Sequence, residues 1–131
     1  MNIIMGIFIV LHGMVHLLYA GQSQRVFELR PGMSWPDGSW ITSKAFSDET
    51  TRLLATILLA LAAAGFVIGG LGLFIRQDWW RAIISIAAVL SSLIYIVFWD
   101  AGFQALSDQG GVGVLINLAI LVMVFVLKWP V

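Results

Sequence analysis

Residues 3–19 read IIMGIFIVLHGMVHLLY, an apolar run whose only strongly polar members are His12 and His16. A helix crosses a bilayer with roughly 17–25 mainly apolar residues, so this run is long enough. A soluble surface helix would carry a polar face, and none is present here. No basic segment precedes the run, and Leu18 is bulky where leader cleavage needs small residues. It therefore reads as a retained membrane helix. His12 and His16 stand one turn apart and share a face with Tyr19. Polar rings inside hydrocarbon need partners or a task, and the rest of the chain must supply them.

Working outward, three more stretches have the same character, at about 50–75, 79–99 and 112–129. Of the whole chain 60% is hydrophobic and 11% charged, against about a quarter charged in soluble domains. The expected fold is all-α, a four-helix transmembrane bundle forming one integral membrane domain over residues 1–131. Ser47, Asp48 and Glu49 offer a cap and two carboxylates to the positive end of the second helix. Trp79, Trp80, Trp99 and Trp129 suit the headgroup level. Gly65-x-x-x-Gly69, with Gly72, marks a face for close helix approach, and Gly6 and Gly13 mark another. There is no cysteine, which excludes disulfides, thiol redox chemistry and Cys-ligated metals. Basic and acidic side chains balance, which argues against nucleic acid as a partner. The partners expected are the lipid bilayer and a second copy or a larger membrane complex.

Charge sets the orientation. Arg76, Arg81 and Lys128 lie on one face of the membrane with only Asp78 against them. Arg25, Arg30, Lys44 and Arg52 lie on the other among the remaining acids. The positive-inside rule then places both termini in the cytoplasm of a multi-pass cell-membrane protein. The loop at about 21–46 becomes extracytoplasmic. It is long for a bundle connector. Pro31-Gly32 and Pro36-Asp37-Gly38 are turn signals, and Trp35 and Trp40 suit an interface. These residues favour a structured cap over a disordered linker.

Beneath that cap the polar residues fall at similar depths. At 1.5 Å per residue from the outer helix ends, His12 lies roughly 10 Å deep, His16 roughly 5 Å, Thr56 roughly 9 Å and Asn117 roughly 8 Å. Tyr95 and Ser92 lie roughly 6 and 10 Å below Trp99, with Asp100 at the mouth. Such a layer is what a buried site in a bundle looks like, and Trp35 and Trp40 would close it. His-x-x-x-His can clamp a metal ion from successive turns, and Asp100 would complete a set of two histidines and a carboxylate around a divalent metal. The intervening Gly-Met-Val lacks the glutamate of zinc proteases. Haem is disfavoured, because a bis-histidine haem usually draws its ligands from two helices. A second chemistry is proton exchange between a histidine and Asp100. A third reading is structural: His, Asn, Ser and Thr also bind membrane helices together by hydrogen bonds.

The segments LHGMVHLL (11–18), LRPGMSWPDGSW (29–40) and FWDAG (98–102) resemble a group of small prokaryotic membrane proteins with four helices. The size and layout are also similar to the DoxX-like family, some of whose members are linked to quinone-coupled sulfur oxidation. The resemblance implies the four-helix layout. It transfers no activity, and no motif residue carries over from the DoxX-like proteins. The functional expectation is a polar His/Asp pocket at the extracytoplasmic end, for a metal, quinone or lipid-like small molecule. The alternative is a non-catalytic accessory subunit or homo-oligomeric scaffold.

Overall fold

The computed structural model describes residues 2–102 and 110–128. Helix α1 spans Asn2–Ser23, about a turn longer than the apolar run that announces it. It ends where Arg25 adopts a left-handed backbone (φ 61°), with Val26 N–H donating to the Gly21 carbonyl at 2.9 Å and Arg25 N–H to the Gln22 carbonyl at 3.0 Å. That pairing satisfies two carbonyls at the helix end. A short helix, α2 (Thr42–Ala45), lies within the loop. Helix α3 spans Asp48–Phe74 and starts as the sequence indicates: Ser47 Oγ accepts from Thr50 N–H at 3.2 Å, with Asp48 and Glu49 in the first turn. It closes like α1, on a left-handed arginine, Arg76 (φ 56°). Helices α4 and α5 span Trp80–Val97 and Val112–Phe125.

The described residues form an all-helical fold, and α1, α3 and α4, at 22, 27 and 18 residues, are long and apolar enough to cross a membrane. Helix α5 has 14 residues, roughly 21 Å, short of a hydrocarbon core of about 30 Å. The expected fourth span at 112–129 is thus shorter as a regular helix, and Trp129 lies outside the described residues.

The helices pack in the order α1, α3, α4, α5. Glycines set how closely they approach. A Cβ at Gly13 would lie 2.7 Å from Phe66 Cβ, and one at Gly69 would collide with Ile84 Cγ1. The Gly65/Gly69/Gly72 face of α3 is therefore filled by α4 within one molecule, through Ala87, Ile84 and Trp79. Two apolar clusters result. Ile9, Phe66, Leu73, Ile84, Ile120 and Met123 pack one, and Trp35, Ala55, Leu59, Ile94, Tyr95 and Phe98 pack the other under the loop. Outward faces are apolar as well, with Leu11, Leu61, Ile86 and Leu115 more than half exposed. That distribution suits a lipid surround.

Candidate functional site

The two imidazoles sit where the apolar clusters meet. His12 lies 4.8 Å from Phe66 and His16 lies 5.7 Å from Tyr95, ring centre to ring centre. Both are buried, His16 at 1% exposure. The i, i+4 spacing places them 5.1 Å apart and perpendicular, on the face of α1 that packs onto α3.

Every polar side-chain atom of the cluster except His12 Nδ1 can be followed to a partner among the described residues. His16 Nδ1 lies 2.9 Å from the His12 carbonyl oxygen. A carbonyl only accepts, so Nδ1 carries the proton and Nε2 is the acceptor of a neutral ring. His16 Nε2 then accepts from the Ser91 hydroxyl at 2.5 Å. Ser91 Oγ in turn accepts from Asn117 Nδ2 at 2.9 Å, and the same amide donates to Ser92 Oγ at 3.2 Å. Ser92 passes its own proton to the Ala88 carbonyl at 2.9 Å. Asn117 Oδ1 receives His12 Nε2–H at 2.8 Å. The chain of donors is consistent throughout with both rings uncharged. It ties α1 to α4 and α5, and Asn117, fully buried, is its hub.

Above this cluster the loop forms a lid. Trp35 is buried at 3% exposure, with Tyr19 at 5.4 Å and Tyr95 at 6.3 Å between centroids. Trp40 is half exposed at the rim. Its backbone N–H donates to the Trp99 carbonyl and its indole N–H to the Ile96 carbonyl, both at 2.7 Å. Gln22, at the end of α1, donates to the Met33 carbonyl at 2.9 Å and accepts from Leu29 N–H at 2.8 Å. Asp37 braces the lid. Arg52 Nε donates to its Oδ1 at 2.8 Å, Arg52 Nη2 reaches Oδ2, and Arg25 lies 2.9 Å away. The Arg52 hydrogen bond is the largest influence on the Asp37 carboxyl; burial opposes it, and the Arg25 and Arg52 charges add to it, so the group is held below its usual range.

The candidates read from sequence separate into groups. His12, His16, Ser92 and Asn117 share the network, with Tyr95 against it and Trp35 above Tyr95. Thr56, at a similar depth, belongs elsewhere: it accepts from Gln24 Nε2 at 2.7 Å and donates to the Arg52 carbonyl. Asp100 is exposed beyond the end of α4, where Oδ1 accepts from Gly102 N–H at 2.8 Å. Among the described residues no three His, Asp or Glu side chains group as metal ligands, so Asp100 is not delivered to the histidines. Ser91, Gln22 and the Arg25–Asp37–Arg52 brace are absent from the sequence expectation. Ser91 had one signal: it lies four residues after Ala87 and four before Tyr95, on the buried face of α4. No protein-family model, curated protein or solved structure matches this chain.

Proposed function

We propose that this chain is a four-helix membrane protein whose polar cluster locks the helices together beneath a structured extracytoplasmic lid. In this reading it works as a non-catalytic accessory or scaffold module. The observation that carries it is the internal pairing of His16 and of Asn117. His16 uses both ring nitrogens, Asn117 uses its carbonyl and its amide, and the partners lie on other helices or on α1 itself. A catalytic or metal-binding imidazole needs a nitrogen available to substrate or ion; His16 has none, and His12 keeps only Nδ1.

The charge distribution supports cytoplasmic termini, and α5 completes the membrane crossing as a short helix extended by its flanking residues. The resemblance to small prokaryotic membrane proteins accords with residence in the cell membrane. Replacing His16 with alanine tests the assignment. A lock predicts lower resistance to unfolding in detergent and an unchanged metal content by elemental analysis. Stoichiometric metal in the wild type that disappears in His12→Ala and His16→Ala would restore the metal-site reading.

A second reading, ligand binding at the lid end, is favoured by a separate observation. A polar cavity of about 510 Å³ opens between the end of α1 and the start of α3.

A further inference from the structure

That cavity is lined by Ser23, Gln24, Arg25, Thr50 and Arg52, with Glu49 and Leu53 at its sides. Its charges are of both signs and nearly cancel. Arg25 and Arg52 share the single carboxylate of Asp37, which leaves one positive charge in excess. Glu49 and, beside the cavity, Asp48 supply opposing negative charge near the Arg52 guanidinium, and Glu49 makes no direct ion pair among the described residues. The donors also divide by position. Arg52 holds Asp37 through Nε and Nη2, leaving Nη1 without a hydrogen bond among the described residues. The Thr50 hydroxyl accepts from Ser47 and keeps its own proton to give. A phosphate group suits Nη1 and Thr50, while an ammonium group suits Glu49.

The cavity's surroundings select an amphiphile. Its floor is the first turns of α3, at the level where a helix of this length enters the headgroup region. Below it, Leu53, Ile57 and Leu61 follow one another at four-residue spacing, 54%, 50% and 57% exposed. This stripe runs from the cavity into the hydrocarbon along one side of α3. A soluble zwitterion would leave it unused. An acyl chain attached to the headgroup would lie along it.

We propose that the cavity between α1 and α3 binds the headgroup of a zwitterionic phospholipid bearing a primary amine, with its acyl chains along Leu53, Ile57 and Leu61. A primary ammonium donates hydrogen bonds to Glu49, whereas the quaternary ammonium of a choline lipid has no N–H to donate. A glycerol headgroup brings no positive charge at all. The proposal rests on the chain being a membrane protein and deepens the ligand-binding reading of its lid end.

The test uses the full chain with vesicles of phosphatidylethanolamine, phosphatidylcholine or phosphatidylglycerol, each in a neutral carrier lipid, followed by mild detergent extraction and lipid counting by native mass spectrometry. Phosphatidylethanolamine should be retained about two- to fivefold over the other two, the range expected for one exposed ion pair. Glu49→Gln should abolish that preference without changing helix content. Equal retention of the three lipids, or a preference indifferent to Glu49→Gln, would overturn the proposal. So would competition by soluble glycerophosphoethanolamine at the same concentration as the lipid, because the stripe would then contribute nothing. Failure to float with any vesicle would instead overturn the membrane reading beneath it.

Discussion

Asn117→Ala removes the hub of the polar cluster, and its cost can be worked from the contacts. The wild-type side chain takes part in three interhelical hydrogen bonds: with His12 at 2.8 Å, Ser91 at 2.9 Å and Ser92 at 3.2 Å. Such bonds average about 0.6 kcal/mol inside a membrane protein, together about 2 kcal/mol. His12 Nε2–H is then left without its acceptor in a buried site, which costs about 1–3 kcal/mol more. The two serines lose less. Ser91 still donates to His16, and Ser92 still donates to the Ala88 carbonyl. The expected destabilisation is therefore about 3–5 kcal/mol, read from reversible unfolding in mixed micelles. Ser92→Ala breaks the longest of the three bonds and the hydroxyl's own bond to the Ala88 carbonyl, and should cost about 1 kcal/mol, well below Asn117→Ala. A double-mutant cycle between His12→Ala and Asn117→Ala should show coupling of at least about 0.5 kcal/mol. Asn117→Ala within about 0.5 kcal/mol of wild type, or strict additivity in the cycle, would refute the hub assignment.

Gly13→Ala and Gly69→Ala should each destabilise by about 1–3 kcal/mol. The new methyl at residue 13 meets Phe66 Cβ and at residue 69 meets Cγ1 of the fully buried Ile84, and a β-branched side chain in a helix has little freedom to turn away. Differential scanning fluorimetry checks both; a variant as stable as wild type would show that the helices can separate there without cost. The lid should loosen in acid. The depressed Asp37 carboxyl contributes stability that is present above the ordinary carboxylate value of 3.8 and lost as pH falls through its lower folded value. Hydrogen-exchange protection at residues 33–40, corrected for the intrinsic rate at each pH, should therefore fall below about pH 4, and Asp37→Asn should remove that pH dependence while leaving a looser lid. Reporter fusions should be active in the cytoplasm at the C-terminus and outside it at Gly38; the reverse pattern would invert the orientation.

Much of the architecture was legible because hydrocarbon permits few sequences. Three of the four long apolar runs form helices able to cross a membrane, and the Ser47 cap and the Gly65/Gly69/Gly72 face appear where the residues put them. The helix ends were less legible for an identifiable reason. Helices α1 and α3 stop on Arg25 and Arg76 in left-handed conformations, where glycine is the usual signal, so Gln22 and Ser23 read as loop. In the polar layer, depth along a helix could be counted but direction around it could not. Thr56 has the depth of His12 yet pairs with Gln24. Ser91 escaped notice because Ser92 stands beside it, and a stripe drawn through Ser85, Ala88, Ser92, Tyr95 and Trp99 looks as continuous as one through Ile84, Ala87, Ser91 and Tyr95, although Ser91 is the more deeply buried serine. The Asp37 brace joins residues distant in sequence, and no local pattern announces such a pair.

The most direct test of the account is the protonation state of the two imidazoles, read by ¹⁵N solid-state NMR of the histidine-labelled protein in bilayers near neutral pH. His16 should be a neutral ring protonated at Nδ1, because that nitrogen faces a carbonyl and Nε2 accepts from Ser91. His12 should carry its proton at Nε2, donated to Asn117, and that resonance should shift in Asn117→Ala. Doubly protonated rings, metal-shifted nitrogens or a His12 signal indifferent to Asn117→Ala would contradict the lock and reopen the histidines as a site for chemistry.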